Sequence, residues 1–342
     1  MKMPTPRGPV SSILMDILAT APQHHVPELA RMGAAMEQTA PGQLMDDDDL
    51  QLALFCLYEL HYGGIEGVDD RWEWHPELTA FRLELERRFE GVLRRMTHVP
   101  DAPQPIAADV AAVLFKLTGD DDGPSVSKYV AREATPEQLR EFLIHRSVYQ
   151  LKEADPHSWA IPRLTGRAKA ALVEIQADEY GGGQPERMHS ALFARSMRGL
   201  GLDDQYGAYV DLIPAVTLAS VNMMSLFGLN RRLRGAIVGH LAAYEMTSSI
   251  PNKFYSRGFR RHGHGEDVTG YFDEHVEADA VHEQIAGRDL AGGLAEAEPQ
   301  LLPDILFGAA AALAVDALVG THQLSAWQAG RSSLRIPLDL AA

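Results

Sequence analysis

The stretch Tyr271-Phe-Asp-Glu-His275-Val-Glu-Ala-Asp279-Ala-Val-His282 sets two imidazoles and a carboxylate at i, i+4 and i+7. On a helix all three project from one face. Imidazole and carboxylate presented together suit iron, manganese or zinc. A solvated acidic helix is the plain alternative for this stretch. A second element is Glu186-Arg-Met-His189, a Glu-x-x-His pair at i, i+3, the unit with which di-iron carboxylate bundles chelate from one helix. Glu179 lies seven residues earlier, on the same face if the helix is continuous. Gly181, Gly182, Gly183 and Pro185 stand between the two, and such residues are costly inside a helix. Irregular backbone is expected where a site must open or reposition a ligand; an ordinary interhelical loop is the alternative.

Glu153 forms a stripe with Phe142, Arg146 and Tyr149 at four- and three-residue steps, so it is expected to face the bundle interior. Glu245 follows Val238, Leu241 and Ala242 on an apolar face and offers a carboxylate from a further helix. His189, His275 and His282 with Glu153, Glu179, Glu186 and Asp279 are too many donors for one zinc and suit a pair of metals a few ångströms apart. Four carboxylates also neutralise two Fe(II) ions. Glu245 would overbalance that reduced pair by one charge, which places it behind the primary ligands or among those of the oxidised state. Tyr149, Tyr244 and Asn222 are candidate pocket residues that packing explains equally well.

The elements that must carry these groups read as helices. Acids at 46–49 precede an apolar stretch, as suits a helix N-terminus. His75-Pro76-Glu77 opens a run with leucine and phenylalanine at three- and four-residue spacing. Thr135-Pro136-Glu137-Gln138 combines an N-cap, a first-turn proline and a capping-box glutamine. No stretch alternates with period two between hairpin turns, so a sheet has no support. Prolines, glycines and acids at 101–130 mark a boundary, dividing the chain into an N-terminal helical region, 1–130, and a second helical bundle, 131–342.

The chain has 342 residues, 46% of them hydrophobic and 23% charged, the composition of a globular protein with a sizeable core. A net charge of −16 disfavours nucleic-acid and anionic-membrane surfaces. The single cysteine, Cys56, excludes an intrachain disulfide, a CxxC zinc site and an iron–sulfur cluster. The apolar run at 305–319 contains Asp316 and is too short to span a bilayer. The first twenty residues lack a continuous apolar segment and a cleavage site, so a cytoplasmic protein is expected. No Gly-x-Gly-x-x-Gly, Walker or Gly-x-Ser-x-Gly arrangement is present. The acids at 46–49 read as solvated, and the basic stretch 257–264 as a surface loop, with contact to an anionic substrate or capping of a helix end as the alternatives.

The order Glu153, Glu179, Glu186-x-x-His189 and His275-x3-Asp279-x2-His282 resembles the heme-oxygenase-like di-iron oxidases and oxygenases, and within them the N-oxygenating members. The similarity covers about residues 131–330. Segments 58–62 and 69–78 resemble the helical extension that precedes the bundle in several relatives and is associated with dimerisation. The resemblance implies an all-α, heme-oxygenase-like seven-helix bundle, with metal-binding helices poorly ordered without iron. By analogy Glu153, Glu179, His189, His275, Asp279 and His282 are the iron ligands, and Glu186 is the extra carboxylate of N-oxygenating members. It implies two iron ions, O2 as co-substrate, a reductase or chemical reductant as external electron donor, and a homodimer. The expected reaction is oxygenation of an amine, guanidine or amino-heteroarene nitrogen to hydroxylamine, nitroso or nitro in natural-product biosynthesis. No cupin-like region follows, so a later rearrangement to a nitrosamine is not expected. Oxidative C–C cleavage, decarboxylation or desaturation of an amino or fatty acid is the alternative on the same scaffold. A non-catalytic iron-binding helical protein is the alternative of another class.

Overall fold

A computed structural model describes residues 1–119 and 125–338, apart from the side chains of Pro41 and of residues 277–280. The described residues form helices and no strand. The N-terminal helices are α1 (Pro9–Leu18), α2 (Glu28–Met36), α3 (Asp48–Glu59), α4 (Pro76–Met96), α5 (Ala107–Gly119) and α6 (Val126–Arg132). There follow α7 (Pro136–Gln150), the single turn α8 (Asp155–Ser158), α9 (Gly166–Glu179), α10 (His189–Gly199) and α11 (Ala215–Leu229). The last are α12 (Arg234–Arg261), α13 (Glu266–Gln284), α14 (Gly293–Ala297) and α15 (Leu302–Gln328).

Local chemistry starts these helices. Thr135 and Gln138 exchange the two hydrogen bonds of a capping box, at 3.3 and 3.0 Å. Of the acids at 46–49, three are engaged rather than solvated. Asp47 accepts from the backbone N–H groups of Asp49 and Leu50, and Asp48 pairs with Arg7. Asp49 reaches across to the N–H groups of Val10 and Ser11, satisfying two orphan donors at the start of α1. The basic stretch 257–264 belongs largely to the last turn of α12, where Arg260 pairs with Asp273 and Arg261 donates to the Ala134 carbonyl.

Helix α12 is the central element, with α13 and α15 packed along it. It meets α15 without side chains between the backbones. A Cβ on Gly239 would strike the Ile305 carbonyl, and one on Gly308 would strike that of Ala236. The segment Pro299–Gln328 is apolar and long enough to cross a membrane by composition alone, yet 56% of its apolar window is buried here, so its apolarity serves packing. Helix α13 runs into a π-helical segment, Ile285–Gly292, that packs on α5, α9 and α12. Wide turns of this kind often accompany functional sites. The N-terminal helices join the same core: α3 packs on α11, and α6, which runs across residue 130, packs on α12.

His145 sits in this core with its ring nitrogens 2.8 Å from Thr217 Oγ1 and 3.0 Å from Ser333 Oγ. Burial pulls its imidazole from the ordinary 6.5 down to about 3. Burial likewise takes His157 down to about 4. Below pH 6.5 the unfolded chain therefore binds protons that the folded chain refuses. Stability is full above that value and is lost as pH falls toward the folded-state values. The urea midpoint is expected to drop steadily over this window, with a shallower slope in His145→Asn. A midpoint flat from neutrality to pH 4 would show that these rings do not stay neutral in the fold.

Candidate metal centre

Helix α7 ends at Gln150, and the next three residues are held tightly. Lys152 is buried in an ion pair with Glu59 of α3, whose carboxylate also accepts from the Tyr206 hydroxyl at 2.7 Å. Ala154 takes a left-handed φ of 77°, rare for a residue with a Cβ, and its carbonyl accepts from Gln176 Nε2 at 2.9 Å. Glu153 lies between these anchors and turns inward, its side chain 9% exposed.

Glu179 is the last residue of α9 and His189 the first of α10. Gly181, Gly182 and Gly183 all have positive φ between them, and a Cβ on Gly181 would lie 2.6 Å from the Met188 nitrogen. Only glycine permits this tight reversal. The reversal brings the Glu179 and His189 side chains together although no single helix carries both. It turns Glu186 outward. That residue sits in the 3-10 turn Pro185–Arg187, is exposed, and shares no helix with His189, because Met188 is extended. The expectation that Glu186 and His189 chelate from one helix is therefore not met by this backbone.

Helix α13 presents His275 and His282, and α12 presents Glu245. The ligand atoms fall into two groups, each within 4.8 Å: Glu153, Glu179, His189 and His275 in one, and Glu179, Glu245 and His282 in the other. Glu179 is common to both. His189 Nδ1 lies 3.0 Å from Glu179 Oε2, His275 Nε2 3.7 Å from Glu153 Oε1, and His282 Nδ1 3.5 Å from Glu245 Oε2. The Asp279 side chain lies outside the described residues. Asn222 instead serves packing, donating to the Gln51 carbonyl and side-chain oxygens.

Two anchoring residues carry no signal strong enough to single them out from sequence. His275 Nδ1–H donates to the Tyr271 carbonyl at 2.7 Å, which leaves Nε2 facing the cluster. The hydroxyl of the same Tyr271 donates to both Glu153 oxygens, at 2.9 and 2.8 Å. The i−4 position of Tyr271 is the one hint available. Asp178, beside Glu179 and mostly exposed, lies 2.9 Å from His282 Nε2. Tyr271→Phe keeps the ring and the carbonyl but frees Glu153, so iron affinity measured by chelator competition is expected to fall about 10- to 100-fold. Unchanged affinity would show that the hydroxyl does not position the carboxylate.

The electrostatics suit a cation. Burial raises the Glu153 carboxyl, but the hydrogen bond and charge of His275, aided by His189, outweigh it and hold the group below its usual range. Burial opposes protonation of His189, and the Glu179 carboxylate overcomes it, raising that imidazole. Burial and the neighbouring Glu179 push Glu245 up. Glu179 Oε2 and His189 Nδ1 are buried with no aligned hydrogen bond, despite their 3.0 Å approach. Buried polar atoms rarely stay so, and a metal bound by both would satisfy them. The imidazole and carboxylate donor set fits iron.

A family model described as iron-containing redox enzyme matches residues 140–317, and the chain belongs to this heme-oxygenase-like family. It is accordingly an oxidoreductase with an all-α, heme-oxygenase-like fold and a buried His/Glu cluster compatible with a metal site. The chain is also similar to the nitrosourea synthase of Streptomyces achromogenes subsp. streptozoticus, 29% identical over 232 residues. That alignment covers 66% of this chain and 49% of the relative, so the chain spans about half the relative's length.

Proposed function

We propose that the chain is a non-heme di-iron N-oxygenase that uses O2 to oxidise the nitrogen of a small amine, guanidine or amino-heteroarene. The observation that supports the paired-metal reading is Glu179, one carboxylate common to two ligand groups, which would serve both metals. The direction toward nitrogen is supported by the similarity to a nitrosourea synthase. Glu153, Glu179, His189, His275, Asp279, His282 and Glu245 would hold the irons. Glu186 would join them only if the 181–188 turn moved inward. Bound there, the irons would supply O2 activation and electron transfer. The chain's own part is to fix the donors: Tyr271 holds Glu153 and His275, Asp178 holds His282, and the bundle excludes water. One oxygenation balances as R–NH2 + O2 + 2 e⁻ + 2 H⁺ → R–NHOH + H2O, with electrons from an external reductase or chemical reductant. The proposal extends to a cytoplasmic homodimer in natural-product biosynthesis, associating through residues 1–130, with neither nucleic acid nor membrane as partner.

A second reading, carbon-directed cleavage, decarboxylation or desaturation, is favoured by the exposure of Glu186, since that carboxylate is what aligned the sequence with N-oxygenating members. Turnover of candidate amines under 18O2, followed by mass spectrometry, separates the two. Label retained on nitrogen is expected. Loss of CO2 or of two hydrogens, with unlabelled organic product, would reject N-oxygenation.

A further inference from the structure

The anchors of the metal ligands differ in where they lead. Tyr271, which holds Glu153 and His275, is 3% exposed, so the route through it stays inside the protein. His282 is held instead by Asp178, whose carboxylate lies 2.9 Å from Nε2 and has 63% of its side chain in solvent. One imidazole and one hydrogen bond thus separate the buried cluster from the surface where α9 meets α13. Electron transfer slows steeply with each added ångström of protein, so a centre supplied with electrons from outside is best served by such a short bonded link.

The surface around Asp178 has a definite chemistry. Glu174 lies one turn earlier on the same stripe of α9, and Glu274 and Val281 lie two turns apart on the outer face of α13; all three are exposed. Among the described residues, Glu174, Asp178 and Glu274 have no lysine or arginine within ion-pair distance. Arg167, two turns before Glu174 on α9, is paired with Asp289 and Glu296 instead. Val281, which adjoins His282 in the chain, is 61% exposed. Uncompensated acids around an exposed apolar side chain match the polar rim and apolar centre of an interface, and a redox encounter needs only a small one.

We propose that this α9–α13 face is the docking surface for the electron donor, a one-electron carrier protein with a positively charged face, and that its electron enters through Asp178 and His282. Charge complementarity selects that partner, since the unpaired acids would attract a basic surface and repel an acidic one. Each encounter oxidises one carrier and converts one Fe(III) to Fe(II), so two encounters supply the two electrons of one oxygenation. The proposal rests on reading the buried cluster as a redox-active iron centre, but not on which substrate atom is oxidised.

Docking is tested on the metal-free full chain by calorimetric titration at low salt with ferricytochrome c, a redox protein with a lysine-rich face. Glu174→Lys and Glu274→Lys leave every metal ligand and anchor in place, and each is expected to weaken binding about 10-fold. Asp16→Lys makes the same charge change on the exposed side of α1, which packs on α2 and α3, and is expected to weaken it less than about 2-fold. Electron entry is tested by stopped-flow reduction of the oxidised, iron-loaded protein with the methyl viologen radical cation. The two α9 and α13 variants are expected to slow this roughly 3- to 10-fold, with a weaker salt dependence and unchanged iron content. No binding of cytochrome c, or an equal loss in all three variants, overturns the proposal and leaves only the general attraction of a chain with a net charge of −16. Docking lost with an unchanged reduction rate also overturns it, because electrons then enter elsewhere. If one variant fails to fold by circular dichroism, the other carries the test. A chain that takes up no iron removes the metal-centre reading together with this proposal, whereas normal iron uptake with equal losses removes this proposal alone.

Discussion

Glu179→Gln is expected to lose iron from both halves of the centre at once while the iron-free protein melts no lower than wild type. The carboxylate belongs to both ligand groups, so its neutral isostere weakens each. The loss should exceed the roughly 10- to 100-fold cost of altering an outer anchor of a metal ligand. Without metal the same carboxylate is 7% exposed and acts on Glu245 as a neighbouring like charge, a repulsion that offsets its pairing with His189, the favourable contact the isostere gives up. Removing a buried like charge relieves that repulsion, the usual opposition between stability and function. Iron content by colorimetric assay and melting of the chelated protein check the two halves of this expectation. Retention of tight iron, or a large drop in melting temperature of the iron-free form, would remove Glu179 from its shared position.

Gly239→Ala is expected to have the largest effect on the fold of any single added methyl group. The new carbon would meet the Ile305 carbonyl and the Ala309 backbone nitrogen, and backbone cannot rotate aside as a side chain does. Helices α12 and α15 would have to separate, and α12 carries Glu245 on one side and packs against α13 on the other. Overpacking of this kind costs about 3 kcal/mol, a fall in melting temperature of roughly 4 °C for a chain of this length. Gly308→Ala acts on the same contact from the other helix through the Ala236 carbonyl. In contrast, Gly33→Ala meets open space within 4 Å and is expected to be neutral or slightly stabilising. Thermal melts of the three variants decide the matter. Equal melting temperatures would show that α12 and α15 are not in backbone contact.

The helices are legible in the sequence because their caps and periodicity are local, as at Thr135–Gln138 and His75–Pro76. The alignment of His275 with His282 is legible for the same reason, since α13 is regular across both. Glu153 is legible as an inward side chain from its stripe, although the device that turns it, Ala154 in a left-handed conformation between Lys152 and Gln176 contacts, leaves no pattern. The glycines at 181–183 announce irregular backbone without saying which way it turns. Their actual path joins Glu179 to His189 and sends Glu186 to solvent, the reverse of what a Glu-x-x-His spacing on one helix implies. The acids at 46–49 illustrate a different gap. Whether a carboxylate meets water or another helix's N–H groups depends on a neighbour some 40 positions away, here Val10 and Ser11. The contact of Gly239 with Ile305 is equally remote in sequence and equally silent.

Anaerobic titration of the metal-free protein with Fe(II), followed by Mössbauer spectroscopy of the oxidised sample, bears most directly on the paired centre. Two irons per chain in one exchange-coupled, diamagnetic diferric pair are expected. Saturation at one iron, or two irons with independent high-spin ferric signals, would contradict a centre built on a shared Glu179.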